Sequence, residues 1–507
     1  MNEASSTARQ RARSRARQRA RRNAIVGPPR PTLHRRLADY DAFPAALVAE
    51  THERVLAIVE DIGIEFRDAE SLALWRQTGA TVDGALVRVP GELLMGLLET
   101  VPAEFTLAAR NPARSAVIGG RNTVFGPGYG APIVVDLDWQ RRPATLADLE
   151  NFYRLTHMAP AIQVNGGVIV EPTDIAIPHR HLHMVAQGFR LTDKPVLGPV
   201  TSAARAEDAI AMARLVFGED FVDNHPVYIA LVNSNSPRVW DETMLAALMT
   251  YAGAGQAVLC QPFSMMGVSM PANSAAAVAQ ACAEALVAIA LMQIIRPGAP
   301  AIMGSGSGTA SMKTGGPMAA SPSSFWAMFL GAQMARWYRI PSRMIAGASC
   351  SKHPDMYAGY EAGLGALATV LAGANFVNHT GGMLEGLLTM GYAKCAVDYE
   401  LMDIVHVTAG NDDREGADEA LATLTEVEPG GHFLGTRHTL AHYPYQPQLQ
   451  DYNTYEQWDE EGRVTTDERG RQHAKALLEA YEAPALDPAI DDALGAFVAR
   501  RSGELEG

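Results

Sequence analysis

Short apolar runs that end in small and polar residues recur along this chain, and their repetition is the feature that most constrains its fold. The last three are AIMGSGSG (301–308), RMIAGASCSKHPD (343–355) and ANFVNHTGG (374–382), and two long helical patterns separate them. An apolar run of roughly four to six residues, closed by Gly, Ser or Asn and followed by a helix, is typical of a parallel strand in an α/β protein. The repetition predicts a functional site assembled from several strand ends on one face.

Four further runs precede these three, with helical patterns between them. The runs lie at 161–170, 195–202, 226–237 and 257–267, and the helical patterns lie at 204–217, 238–254, 274–295, 323–339 and 355–372. This alternation predicts a (β/α)8 TIM-type barrel, with its eighth strand expected near 403–408 or within 426–435. An open doubly wound sheet is the alternative. It is disfavoured because no run opens onto GxGxxG with an acidic residue beyond, and GSGSGTAS lacks the Lys-Ser/Thr of a phosphate loop.

The barrel is expected to occupy residues 146–435, between two extensions. Residues 31–145 predict helices at 45–60 and 68–78 and a hairpin at 123–144. Thr145 and Asp148 have the spacing of an acidic capping box, which opens the first helix of the barrel. Residues 436–507 are charged and predict a C-terminal helical wrap.

Residues 1–30 form an Arg-rich arm, which we expect to be a disordered tail that ends at GPPRP (27–31). The stretch RQRARSRARQRARR (9–22) holds eight arginines and no acid. The formal net charge of the whole chain is −14, so the residues outside this stretch carry a net charge of −22. This acidic body argues against nucleic acid as the main partner, with a nucleic-acid-binding arm as the alternative.

The remaining composition bears on compartment and assembly. The arm has no apolar stretch, which excludes a secretory signal, and no run approaches the roughly 18–20 apolar residues of a membrane span. Cys260, Cys282, Cys350 and Cys395 are too widely spaced for a disulfide framework or a CxxC site. We therefore expect a cytoplasmic protein with no membrane partner. A hydrophobic content of 48% against 19% charged residues favours a homo-oligomer.

Side chains just beyond the C-terminal ends of barrel strands face the active site in this fold. At those positions the chain carries Asn165, Thr201, Asn233, Asn235, Gln261, Ser305, Ser307, Lys352, His353, Asn378 and His379. Amides and hydroxyls dominate the set. Paired carboxylates for glycoside hydrolysis are missing from it, as is an HExxH or Cys/His cluster for a zinc-activated nucleophile.

Two short motifs offer other chemistry. HRHLH contains His179, His181 and His183, of which a helix places only His179 and His183 on one face. Without a third ligand, a structural or substrate-lining role is favoured over a metal site. Ser349 and Lys352 have the SxxK spacing of acylating enzymes, but the partner motifs are missing. The sequence therefore predicts no metal site.

Longer strings carry a family resemblance. GASCSKHPDMYAGYEAGL, LAGANFVNHTGGMLEGLLTMGYAKCAVDYELMD and GPGYGAPIVVDLDWQRRPATLADLENF resemble the trimethylamine methyltransferase superfamily, and the likeness extends over nearly all of the chain after the arm. It implies a (β/α)8 barrel that moves a methyl group from a methylated amine to the cobalt of a cognate corrinoid protein. Founding members contain pyrrolysine and this chain has none, which implies the branch that acts on glycine betaine and similar quaternary amines.

The implied chemistry needs little from the barrel. A quaternary ammonium leaves as a neutral amine without a general acid, and the nucleophile, cob(I)alamin, is carried by the partner. The barrel therefore has to position the substrate, exclude water from it and provide a suitable electrostatic environment. We therefore expect no tightly bound cofactor and assign no catalytic residue. Glycine betaine is the first choice of substrate, with proline betaine, carnitine or choline as alternatives. A betaine-binding protein without transferase activity is the alternative from another class.

Candidate substrate-binding residues follow from this resemblance. His353 and Lys352 are expected to bind the carboxylate of a betaine. Asn233, Gln261, Ser305 and Asn378 supply neutral polar groups to the pocket. Tyr129, Phe263, Tyr357 and Trp326 are candidates for a cation–π contact with the ammonium.

Overall fold

The computed structural model describes residues 27–305, 308–411, 417–443 and 445–506. Residues 1–26, which hold most of the Arg-rich arm, and the candidate Ser307 lie outside the described residues.

In the described part of the chain, eight short strands run parallel in one sheet, and a helix separates each strand from the next. The strands are β1 Asn122–Phe125, β2 Asn165–Gly166, β3 Val196–Gly198, β4 Tyr228–Ser234, β5 Ala257–Pro262, β6 Ala301–Gly304, β7 Ser342–Ile345 and β8 Phe376–Asn378. The helices that follow them in turn are α1 Leu146–Met158, α2 Ile177–Leu191, α3 Ala203–Phe217, α4 Glu242–Gly253, α5 Ser274–Ile295, α6 Pro322–Tyr338, α7 Met356–Leu371 and α8 Tyr392–Gly410. This confirms the predicted α/β class and the seven apolar runs as strands.

The sheet is curled, because its strand order returns to the start of the chain. β2 to β8 are neighbours in chain order, and β8 then pairs in parallel with β1. The carbonyl of Phe125 at the end of β1 also accepts hydrogen bonds from the amides of Gln163 (3.0 Å) and Val164 (3.1 Å), which directly precede β2. The end of β1 therefore lies next to the residues that lead into β2.

β1 is the eighth parallel strand, so the expectation of an eighth strand near 403–408 or within 426–435 is wrong. Residues 403–408 lie inside α8. Residue 426 ends the short helix Leu424–Glu426, and 427–435 contain no strand. The segment 123–144 predicts a hairpin because of its Gly/Pro-rich turn, whereas its first residues belong to β1. That hairpin does exist, between Ile133–Val135 and Arg141–Pro143.

The interior of the curled sheet is filled by one apolar cluster, named here the interior cluster. Its members are Leu107, Ala116, Ile118, Val124, Val164, Leu197, Ile229, Leu231, Ala257, Leu259, Ile302 and Phe376. Leu107, Ala116 and Ile118 come from the hairpin Glu104–Leu107 with Ala116–Gly119, which pairs antiparallel with β1. This hairpin therefore contributes three of the twelve side chains of the interior cluster.

Local sequence explains how the surrounding helices begin. Thr145 accepts from the backbone of Asp148, and the Asp148 side chain accepts from the backbone of Thr145, so the predicted capping box of α1 is confirmed. α5 is apolar on all sides because it packs against β5, β6 and the N-terminal helix Ala45–Ala57. By length and composition α5 would suit a membrane span, so the expectation that no run is long enough is wrong, but 89% of its apolar window is buried in the protein.

The extensions pack on the outside of this unit. The N-terminal one contains helices Ala45–Ala57, Ala69–Arg76 and Gly91–Leu98, and a small sheet of Ile64–Phe66, Thr81–Asp83, Leu86–Arg88 and Val239–Trp240. The predicted helices at 45–60 and 68–78 are thereby confirmed. In the C-terminal one, Thr466–Ala480 packs on α8 and Pro488–Glu506 packs on α2.

Candidate functional site

Polar side chains form a layer on the concave face of the sheet, next to the interior cluster. Residues two apart on a strand share a face, and three strands continue from an apolar residue of the cluster to a polar one: Leu231 to Asn233, Leu259 to Gln261, and Phe376 to Asn378. Asn233 and Gln261 are register partners on β4 and β5. We name Asn233, Gln261, Asn378 and the arginine described next the polar layer.

Arg343 on β7 ties this layer together. It is only 5% exposed, and its register partners are Gly304 on β6 and Phe376 on β8. Its Nε donates to Oδ1 of Asn378 over 2.7 Å, and its Nη1 donates to Oε1 of Gln261 over 3.0 Å. Burial lowers the pKa of this guanidinium to about 9, with no carboxylate of the described residues to oppose the shift. Arg343 is thus a cation at neutral pH that is held by two neutral amides.

Two buried polar atoms beside Arg343 lack a partner. They are Nδ2 of Asn378, whose side chain is fully buried, and Nδ1 of His379, which is 5% exposed. His379 adopts a φ of 53°, in the left-handed region that few residues other than glycine favour. Burial and the charge of Arg343 lower the pKa of the His379 imidazole to about 3. His379 is therefore neutral at physiological pH.

Glycines make room for the layer at two strand positions. A Cβ added at Gly304 would collide with Oε1 of Gln261, which lies across the glycine toward Arg343. A Cβ at Gly126, just after β1, would approach the ring of Phe376 to 2.9 Å. These close approaches let the side chains of neighbouring strands lie over the backbone.

Other predicted strand-end residues are engaged in local structure. Ser305 donates to the carbonyl of Gly331 over 2.8 Å, and Asn165 donates to the carbonyl of Tyr153 over 2.9 Å. Asn235 donates to Asp241 over 2.7 Å, and Thr201 accepts a hydrogen bond from Arg205. Their side chains hold loops and helix starts next to the sheet.

Lys352 and His353 lie outside the polar layer, on the loop that follows β7. The His353 side chain is 52% exposed, and its Nε2 lies 2.9 Å from Oδ2 of Asp467 on the C-terminal helix Thr466–Ala480. Its ring also contacts Trp139, with 4.7 Å between the centroids. Lys352 is exposed and donates to the carbonyl of Cys350 over 2.8 Å. In this structure His353 joins the β7 loop to the C-terminal extension.

The four aromatic candidates are placed differently. Tyr129 is half-buried and packs against the interior cluster, and burial raises the pKa of its hydroxyl. Phe263, Trp326 and Tyr357 are 59%, 52% and 67% exposed. The structure therefore brings Tyr129 to the interior cluster and leaves the other three at the surface.

The HRHLH motif lies on α2. His181 is buried, and its Nε2 lies 2.9 Å from Oδ2 of Asp208. The other carboxylate oxygen of Asp208, Oδ1, accepts a hydrogen bond from Nε of Arg501 over 2.8 Å. The rings of His179 and His183 are 5.9 Å apart, one turn from each other. Among the described residues, no group of three or more His, Cys, Asp or Glu side chains is arranged to hold a metal ion.

Sequence reasoning missed Arg343, although a signal was present. An arginine opens the apolar run RMIAGAS, and a charge inside a strand that is buried on both faces calls for a partner or a ligand. The sequence does not show on which face of the sheet this charge lies or what surrounds it.

Comparison with known proteins gives the family. The profile of the trimethylamine methyltransferase (MTTB) family matches residues 8–506. The glycine betaine methyltransferase of Desulfitobacterium hafniense (strain Y51) is 39% identical over 92% of this chain and 98% of its own. A trimethylamine methyltransferase MttB of Desulfitobacterium hafniense (strain DSM 10664 / DCB-2) is 28% identical over 89% and 92%. A proline betaine:corrinoid methyltransferase of Eubacterium limosum is 27% identical over 78% and 84%. This chain belongs to the trimethylamine methyltransferase family.

Proposed function

We propose that this chain transfers a methyl group from a quaternary amine, with glycine betaine as first choice, to the cobalt of a cognate corrinoid protein. The observation that carries the proposal is the 39% identity with a glycine betaine methyltransferase over 92% of this chain. The relative named for proline betaine and a corrinoid supports the same class of donor and acceptor. Proline betaine, carnitine and choline are alternative substrates. A betaine-binding protein without transfer activity is the alternative of another class.

The polar layer suits this chemistry. A quaternary ammonium leaves as a neutral tertiary amine, so the protein has no proton to deliver. The corrinoid, carried by the partner, supplies the cobalt that accepts the methyl group. What this chain must do is position the amine and exclude water. Asn233, Gln261 and Asn378 offer neutral polar groups, and Tyr129 offers an aromatic face on the interior cluster.

We further propose that the curled sheet closes as a (β/α)8 barrel. The hydrogen bonds of the Phe125 carbonyl with the amides of Gln163 and Val164 support closure between β1 and β2. The predicted segments are then 31–145, 146–435 and 436–507, with β1 as the one barrel strand supplied by the N-terminal extension. In such a barrel the carboxyl ends of the strands form the mouth of the site.

Compartment and assembly are part of the proposal. The four cysteines are free, and a Co(I) acceptor requires a reducing environment, so a cytoplasmic location is consistent with both. The outer face of α7 exposes Met356 (74%), Tyr360 (57%) and Leu364 (56%), which supports contact with a further copy of the chain.

His353 and Lys352, at the mouth, are the alternative candidates for the contact with the substrate carboxylate. They lie ten and nine residues after Arg343, on the loop that leaves the same strand. The exposed His353–Asp467 contact would have to open for His353 to reach a carboxylate in the interior. His353 and Lys352 therefore lie at the surface, whereas Arg343 is buried, and substitutions can test the two positions separately.

The proposal is tested by methylation of cob(I)alamin, followed spectroscopically. The purified chain is incubated with glycine betaine, proline betaine, carnitine, choline and trimethylamine in turn, and the tertiary amine product is quantified. We expect one carboxylated quaternary amine to be the best donor. Efficient demethylation of trimethylamine, with none of any betaine, would contradict the proposal. Binding of a betaine without any methyl transfer would favour the binding-protein alternative.

A further inference from the structure

Arg343 places a positive charge on the concave face of the sheet, where the described residues offer no carboxylate to pair with it. The side chain is 5% exposed, and both of its hydrogen-bonded partners, Gln261 and Asn378, are uncharged. Burying a charge without a counter-ion is costly, and proteins rarely retain such a group without a use for it. A bound anion at this position would therefore stabilise the buried charge of Arg343.

The hydrogen-bonding groups around Arg343 also favour a ligand that accepts hydrogen bonds. Nε and Nη1 are occupied, whereas Nη2 makes no hydrogen bond to a described residue. The Asn378 amide uses its oxygen on Nε, and its Nδ2 is buried without a partner. Both free groups are donors. A carboxylate, which has only acceptors, pairs well with two neighbouring donors of this kind.

We propose that Arg343, assisted by Nδ2 of Asn378, binds the carboxylate of the betaine substrate and so makes the site specific for carboxylated quaternary amines. This inference rests on the proposed function and names the residue that selects among its substrates. It assigns the carboxylate to the polar layer, deeper than the loop that carries Lys352 and His353.

The position of Arg343 also sets the orientation of the substrate. The guanidinium repels the quaternary ammonium, so the ammonium lies on the far side of the carboxylate. On β4, β5 and β8 the interior cluster precedes the polar layer along the strand, so apolar side chains fill the sheet on the amino-terminal side of that layer. The methyl groups must therefore point toward the carboxyl ends of the strands. A corrinoid held by another protein can approach only from that end, so the transferable methyl faces its acceptor.

Selectivity follows from the same charge. Choline carries a hydroxyl in place of the carboxylate, and trimethylamine carries neither group. Either molecule would leave Arg343 unpaired while displacing water from around it. Loss of a charge-assisted hydrogen bond typically weakens binding roughly ten- to a hundredfold.

The test measures the binding of glycine betaine and choline to the purified full chain by calorimetry, without a corrinoid. Arg343→Met removes the cation. Gln261→Glu keeps Arg343 and places an internal carboxylate at Nη1, where it competes with the substrate. We expect both variants to bind glycine betaine roughly ten- to a hundredfold more weakly. Both should bind choline at least as tightly as the wild type, because choline no longer leaves an unpaired cation in the site. Arg214→Met is the matched control. Arg214 is a half-buried arginine of α3 that pairs with Asp223 on the next short helix, Glu219–Asn224.

The outcomes separate the two proposals. Wild-type affinity for glycine betaine in folded Arg343→Met and Gln261→Glu chains, with active methyl transfer by the wild type, would overturn the role of Arg343 alone. If the wild type neither binds a betaine nor transfers its methyl group, both proposals fail. Circular dichroism verifies folding, and Gln261→Glu decides the question if Arg343→Met does not fold, because it gives the buried cation a partner.

Discussion

The Nε of Arg343 donates to Oδ1 of Asn378 over 2.7 Å, and this bond joins β7 to β8 across the concave face of the sheet. It fixes which end of the amide faces the arginine, and thereby leaves Nδ2 of Asn378 buried without a partner. Buried donors are almost always paired in native proteins. The pair Arg343–Asn378 is therefore the part of the interior most suited to an anionic ligand.

Replacement of His353 by Ala tests whether the mouth or the interior binds the carboxylate. We expect glycine betaine binding to change less than about threefold, because an exposed pair such as His353–Asp467 contributes little. Calorimetry with glycine betaine and choline measures the effect. A ten- to hundredfold loss that is specific to the betaine would instead place the carboxylate at His353.

Replacement of Gly304 by Ala should disorder the polar layer. The added methyl group would collide with Oε1 of Gln261, which then releases Nη1 of Arg343. We expect a loss of roughly 1–3 kcal/mol in the free energy of unfolding, measured by denaturant titration, together with weaker betaine binding. Gly363→Ala on α7 is the control, because a Cβ there meets nothing within 4 Å and should leave stability equal or higher by up to about 1 kcal/mol. Equal effects of the two substitutions would contradict this account.

His379 should make the protein less stable in acid. Its pKa is lowered from 6.5 to about 3 in the folded chain, so between these values the unfolded chain binds the additional proton. The free energy of unfolding is therefore highest above pH 6.5 with respect to this group, and falls as the pH drops toward 3. His379→Asn, which tolerates the positive φ, should flatten this dependence in denaturant titrations at a series of pH values. An unchanged slope in this variant would contradict the role of His379.

Thr145→Ala should lower the free energy of unfolding by about 1 kcal/mol. The hydroxyl of Thr145 caps α1 reciprocally with Asp148, and its loss leaves a helix-end amide without an acceptor. Thr465 also precedes a helix, but its side chain makes no capping hydrogen bond. Thr465→Ala should therefore have a smaller effect in the same thermal or denaturant unfolding experiment. A larger loss at Thr465 would mean that the capping box is not what stabilises α1.

The sequence alone determined the elements whose signals are local. The apolar runs, the helices between them and the capping box of α1 depend on residues within a few positions of one another, so composition and spacing reveal them. Asn233, Gln261 and Asn378 were also predicted from their place at strand ends. The eighth strand was misplaced, because β1 lies before a hairpin and joins β8 only through a pairing of distant segments.

Only the tertiary structure decided which charge enters the interior. Arg343 meets Gln261, 82 residues away, and Asn378, 35 residues away. Strands that are buried on both faces show no alternation of polar and apolar residues, so the direction of a side chain cannot be read from its neighbours. Register across β5, β6, β7 and β8 sets that direction. The register of the curled sheet thereby places Arg343 on the concave face, where it is the one charged residue of the polar layer and favours an anionic ligand.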